Sequence, residues 1–395
     1  MLALFYISLA AIAYVYFGYP LALRSDLFGR IRAFRRATSH PTVSIIVPAH
    51  NEEAGIEAKL HNLLALDYPR DRVEILIGSD GSSDRTEEIV GRFTREGVGL
   101  ISFPKQLGKS TMQNGLVAFA TGEILLFTDA DCLLPRDALS LLIENFADLR
   151  VGLATAQPQY VNESETSITE NESVYLRYET WLREEESARG ILAMASGSCF
   201  AMRRALWRPL GRAEGDDFVL PLRVAEAGQI NLLDSRVVAL TRLSHNNPSA
   251  MLRLKSRIIS KDFGALLARP AMLNPFRHGA LAISLWSHKL LRWLVPYFLF
   301  ALFAASLSLR SHPLVRVSLL LQVALYTLAT AGFTRRSGYA GFLFTIPRSF
   351  CLVNFAALLG TLRCVAGRAS GRWTPDRISP ARPHSRVTAA DSGAE

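Results

Sequence analysis

The sequence has few of the residues that staple a fold covalently or through a metal. Four cysteines, Cys132, Cys199, Cys351 and Cys364, are scattered over 395 residues at no pairing or zinc-ligand spacing. That excludes a disulfide-framed secreted domain and fits a core kept in a reducing, cytosolic compartment. Lysine is scarce too, supplying six of the 44 basic residues. The net charge of +9 therefore rests on arginine. Yet the middle of the chain has no zinc spacing, aromatic–basic RNA motif or arginine-rich helix, so no nucleic-acid partner is expected. No Ser–His–Asp or Cys–His set suggests a covalent nucleophile. The turn after the first strand reads Ala49-His-Asn-Glu52 and lacks the glycine- and arginine-rich phosphate loop that a nucleotidyltransferase would want.

What the chain does have is apolar sequence, 49% of the whole and densest at its two ends. Residues 2–23 are long enough to span a bilayer. They lack a charged n-region and a small-x-small cleavage site, so an uncleaved anchor is expected. Arg24, Arg30, Arg32, Arg35 and Arg36 follow as a collar that belongs on the cytoplasmic side. Segments 290–309, 314–333 and 339–362 are further candidate spans, the last interrupted by Pro347 and Arg348. His288-Lys-Leu-Leu-Arg-Trp293 reads as a snorkelling basic–aromatic anchor at the membrane interface. One anchor plus three spans would place the tail across the membrane, but its six arginines from Arg363 to Arg386 argue for the cytoplasmic side. The last segment is therefore expected not to cross fully. The expected organisation is a transmembrane helix over 1–23, a basic linker over 24–41 and a cytoplasmic catalytic domain over 42–245. Interfacial amphipathic helices over 246–289, transmembrane helices over 290–362 and a basic, disordered tail over 363–395 complete it. Such a chain belongs, multi-pass, in a bacterial-type inner (plasma) membrane.

Between the ends, β-branched runs at 43–48, 73–78 and 98–103 alternate with helical periodicity at 54–66, 84–93 and 109–120. A fourth run, Leu125-Leu-Phe-Thr-Asp-Ala-Asp-Cys132, ends in two carboxylates one residue apart. This alternation predicts an α/β fold with a parallel, doubly wound sheet, whose ligands bind at the carboxyl ends of the strands. Every unusual polar cluster up to this point falls at such an end. Two like charges on one strand end repel unless a cation lies between them, and their oxygens suit Mg2+ or Mn2+ carrying phosphate oxygens. Further on come a strand and loop over 152–160, a long acidic helix over 163–189, and unused glycosylation sequons at Asn162 and Asn171. A strand entered through glycine follows at 196–202, then a second acid pair, Asp216 and Asp217, at a helix start.

Val43-Ser-Ile-Ile-Val-Pro-Ala-His-Asn-Glu52, Ser79-Asp-Gly-Ser-Ser-Asp84, Gly108-Lys109 with Asn114-Gly115, Asp129-Ala-Asp131 and Gly215-Asp-Asp217 occur in that order. In this the stretch 43–257 resembles family 2 glycosyltransferases of the membrane-integrated, cellulose- and hyaluronan-synthase-like branch. The resemblance implies a GT-A fold, Rossmann-like and doubly wound, flanked by transmembrane helices. It also implies a nucleotide-diphosphate sugar donor, most often a UDP-sugar, with Mg2+ or Mn2+. Pro48, Ala49, Asn51, Glu52 and Asp80 would contact the donor, although Ser79 replaces the first acid of the usual pair before Gly81. Lys109 would approach the diphosphate, Asp129 would face the donor sugar or ribose, and Asp131 would ligate the metal. Asp217, with Asp216 beside it, would be the general base of an inverting displacement. Gly197, Ser198 and Arg257 would lie toward the acceptor or diphosphate. Processive members carry Gln-x-x-Arg-Trp where this chain has Leu254-Lys-Ser-Arg-Ile258, so only Arg257 survives. That favours transfer to a lipid-linked acceptor, in contact with membrane lipid, slightly over polysaccharide polymerisation with secretion or polymerisation partner subunits. A non-catalytic sugar-nucleotide-binding membrane subunit is the alternative of another class.

Overall fold

Buried aliphatic runs fix the centre of the molecule. The computed structural model describes residues 1–31, 34–161, 168–242, 248–334 and 342–367. In it Val43–Ala49 forms β1, buried along its whole length. Val73–Asp80 (β2), Val98–Phe103 (β3) and Ile124–Thr128 (β4) join it in the order β3-β2-β1-β4, all parallel. Burial on both faces is what a parallel sheet covered by crossover helices requires. Those helices, Ile56–Leu64, Thr86–Arg92 and Lys109–Phe119, lie where the periodicity predicts them.

The parallel pattern stops at β4. Cys132–Leu133 (β5), Val151–Val161 (β6), Cys199–Arg203 (β7) and Ile230–Arg242 (β8) complete an eight-stranded sheet in the order β3-β2-β1-β4-β7-β6-β8-β5. β7 runs antiparallel to both β4 and β6, and β8 runs parallel to β6. The fold is therefore α/β with a mixed sheet, parallel only in its first half. β8 carries buried polar residues that hide it from an apolar-pattern reading. Asn231 donates to the carbonyls of Leu192 and Pro221 at 2.9 and 3.0 Å, and Asp234 pairs with Arg236 at 2.7 Å.

Among the described residues four helices are long and apolar enough to cross a membrane: Leu2–Arg24, Pro275–Ser308, Pro313–Phe333 and Leu343–Val365. The second starts well before residue 290 and is kinked at Gly279. The last is continuous through Pro347. It packs on the long helix Pro248–Leu267, where Arg363 donates to Ser256 Oγ at 2.7 Å. The segment from His288 to Trp293 is not an interface anchor. His288 and Trp293 are buried, with Trp293 edge-on to Phe218 and Phe263. Glu186 and Glu179 of the helix Ile168–Ala188 draw the basic side chains inward, at 2.8 Å from His288 Nδ1 and 2.5 Å from Arg292 Nη1. Arg32, Asn162, the side chain of Asn171 and the tail from 368 lie outside the described residues.

Candidate active site

The turns leaving β1 and β2 are stitched to each other. Asn51 adopts φ +56°, a left-handed conformation that asparagine tolerates, and its Oδ1 accepts from the Ser83 amide at 2.8 Å. The Asn51 amide donates to Ser82 Oγ and the Glu52 amide to Thr86 Oγ1. Pro48 and Ala49 are the buried last residues of β1. Asp80, fully buried at the end of β2, accepts from the amides of Leu107 and Gly108 at 2.6 and 2.9 Å. Its carboxylate thus fixes the loop that leads into Lys109.

Lys109 opens its helix and reaches across the sheet end. Its Nζ lies 2.8 Å from Asp129 Oδ1, 3.2 Å from Asp216 Oδ2 and 3.5 Å from the Gly197 carbonyl. Burial opposes its charge, but the two carboxylates outweigh that and hold the ammonium well above its ordinary range. Asp216 is buried, yet Lys109 and a 2.6 Å hydrogen bond from Gln113 Nε2 keep its carboxyl below the usual range. Among the described residues Asp217 has no such partner. Desolvation and then the charge of Asp216 raise it to about 6. Two glycines leave room around it: a β-carbon on Gly197 would lie 3.5 Å from Asp217 Oδ2, and one on Gly215 would lie 3.0 Å from Oδ1. The Ala195 amide donates to the Asp217 carbonyl at 2.8 Å, and the Ser198 carbonyl accepts from the Asp129 amide. Arg257 stands on the helix Pro248–Leu267 one turn before Lys261, whose ammonium feels Arg257, Asp216 and Asp217.

Asp131 follows two residues after Asp129 and keeps contact with solvent. Desolvation and then Asp129 raise its carboxyl to about 6. Glu52 is raised to about 7 by burial and by the charges of Asp131 and Asp129. Three mutually repelling acids make a place that favours a cation. Among the described residues no three acidic, histidine or cysteine side chains form a ready-made metal cage. The donor set instead suits Mg2+ or Mn2+, which bind through one or two carboxylates and complete their shells with phosphate oxygens and water.

The sequence reading missed the residues that support this arrangement. Lys59 is fully buried beneath the turn bearing both acids, its Nζ donating to Thr128 Oγ1 at 2.9 Å and the Cys132 carbonyl at 2.5 Å. Gln113 stands four residues after Lys109 and so shares its helix face, a usable signal. Asp262 and Lys261 carried none, because no motif marks them.

Residues 44–210 match the sequence model of the family described as Glycosyl transferase family 2. A probable glycosyltransferase, YdaM, of Bacillus subtilis (strain 168) is 30% identical over 57% of this chain and 58% of its own length. A beta-monoglucosyldiacylglycerol synthase of Trichormus variabilis is 30% identical over 46% of this chain and 40% of its own. The chain thus spans about half the length of these curated relatives. The fold is shared with a mannosyltransferase of Pyrobaculum calidifontis in complex with GDP-Man and Mn2+, at TM-score 0.68 and 23% identity, over 92% of this chain and 99% of that one.

Proposed function

We propose that the chain, whose residues 44–210 match the model of glycosyl transferase family 2, is a membrane-bound, inverting glycosyltransferase. It moves a sugar from a nucleotide-diphosphate sugar, with a UDP-sugar the first donor to test, to a lipid-linked or growing polysaccharide acceptor. The observation that carries this reading is the assembly of Lys109, Asp129, Asp216 and Asp217 at the carboxyl ends of the strands, where α/β sheets bind ligands. Glu52, Asn51 and Asp80 shape the nucleotide side. Lys109 places positive charge where the leaving diphosphate gathers negative charge. A divalent cation on Asp131 would add Lewis-acid stabilisation of the same leaving group. Asp217 takes the proton of the attacking hydroxyl, and Asp216, kept ionised by Lys109, maintains its basicity. The name of the glucolipid-synthase relative supports a lipid-linked acceptor, and the four apolar helices support a multi-pass membrane location with the catalytic domain, 42–245, on the cytoplasmic side.

The test is transfer by the detergent-solubilised protein with membrane lipid extract, Mn2+ and a panel of labelled sugar nucleotides. A single short lipid-linked product is expected. A ladder of products would shift the reading to polymerisation, and no turnover or hydrolysis of any donor would overturn it.

A further inference from the structure

The mechanism above leaves one acid beside the base without a task. Asp262, on the helix Pro248–Leu267, is only 3% exposed, and among the described residues none donates a hydrogen bond to its carboxylate. Its oxygens are not among the fully enclosed, unpartnered side-chain atoms, so the little exposure the residue keeps lies at them, open to a partner from outside. The geometry says where that partner sits. A β-carbon on Gly215 would lie 3.4 Å from Asp262 Oδ1 and 3.0 Å from Asp217 Oδ1. The two carboxyls therefore face one space, kept open by a glycine and bounded on the far side of Asp217 by Gly197. Burial and then the charge of Asp217 push the Asp262 carboxyl well above its ordinary range; Lys289 and Lys261 oppose this through their fields, without forming an ion pair with it.

We propose that Asp262 binds the acceptor, and that the site takes a neutral polyhydroxylated acceptor held by two hydroxyls at once, the attacked one at Asp217 and a neighbouring one at Asp262. This rests on the glycosyltransferase reading. The attacked hydroxyl gives its proton to Asp217 while its oxygen bonds to the anomeric carbon. The bond from that carbon to the diphosphate breaks, and its electron pair leaves with the diphosphate. Asp262 makes and breaks no covalent bond; it orients the second hydroxyl. Asp262 meets the second hydroxyl as an uncharged carboxyl, while the ionised Asp217 and Asp216 repel an anionic nucleophile, so a lipid phosphate is selected against.

The experiment uses the full chain in lipid nanodiscs with its best labelled donor. The acceptor probes are octyl β-D-glucopyranoside, its monodeoxy analogues and a polyprenyl phosphate. Transfer to the glucoside is expected, with one deoxy analogue inert and a neighbouring one losing on the order of 3- to 10-fold in kcat/KM, as for a lost hydrogen bond between uncharged groups. In Asp262→Ala the neighbouring analogue and the parent glucoside should react alike. Asp262→Asn should mainly raise KM for the glucoside, and donor affinity checks that both variants are folded. Transfer to the polyprenyl phosphate in place of the glucoside, a deoxy penalty that survives in Asp262→Ala, or donor hydrolysis with no probe accepted would each overturn the proposal. Failure to consume any donor would sink the parent reading instead, and the proposal with it.

Discussion

Asp216 and Asp217 are adjacent in sequence and opposite in character, because Lys109 pairs with Asp216 at 3.2 Å. Lys109 and Gln113 hold Asp216 ionised, while desolvation and that same charge push Asp217 up to about 6, close to where a general base works best. A raised carboxyl is protonated below its pKa, so the proposed base is lost as pH falls through 6 and is intact above it. The log of kcat/KM should then fall with unit slope below about pH 6 and level off above. Asp217→Asn should keep donor binding by calorimetry and lose transfer on the order of 10²- to 10⁴-fold, the scale of general-base removal; near-normal transfer would remove Asp217 from the role. The acids were legible in the sequence because they fall at strand ends and helix starts. Lys59 was not, since its partners Thr128 and Cys132 lie about seventy residues away and only the folded sheet brings them together.

Elements carry these residues into place, and two contacts between elements are open to test. Lys59 ties the last residue of β4 to the first of β5, closing the turn that bears Asp129 and Asp131. Lys59→Met removes both bonds and leaves Thr128 and the Cys132 carbonyl unsatisfied, at a cost of about 1–3 kcal/mol. The expected result is a lower unfolding temperature together with weaker Mn2+-dependent nucleotide binding; an unchanged Mn2+ titration would mean the turn holds itself. At the other contact a β-carbon on Gly360 would meet Ile259 Cβ and the Ser256 carbonyl at 2.9 Å. Gly360→Leu should therefore push the last apolar helix off the helix that carries Arg257, Lys261 and Asp262. Overpacking of this kind costs about 1–3 kcal/mol, and acceptor KM should rise more than donor affinity falls. The same contrast governs what the sequence reveals about elements. β1 to β4 announce themselves as short runs rich in Val, Ile and Leu, whereas β8 hides behind Asn231 and Asp234, whose burial makes sense only with their partners in view.

Across the whole molecule, one buried polar cluster joins the catalytic domain to two of the apolar helices. Glu186 is 2% exposed, and its Oε1 accepts from Tyr19 Oη at 2.8 Å and Ser284 Oγ at 2.9 Å and pairs with His288 Nδ1 at 2.8 Å. His288 Nε2 turns to Glu179 at 3.3 Å, which also holds Arg292. The first apolar helix, the kinked Pro275–Ser308 helix and the helix Ile168–Ala188 thus share one carboxylate. Buried charge of this kind need not add stability over an apolar core, but removing one partner strands the others. Glu186→Ala strips three groups at once and should cost on the order of 3–5 kcal/mol. That corresponds to a fall of roughly 5–10 °C in the unfolding midpoint followed by tryptophan fluorescence in detergent. Glu186→Gln, which keeps an acceptor oxygen, should fall between the two. An unchanged midpoint in Glu186→Ala would mean that aliphatic packing alone seats the catalytic domain on its apolar helices, and the cluster would then have no mechanical role.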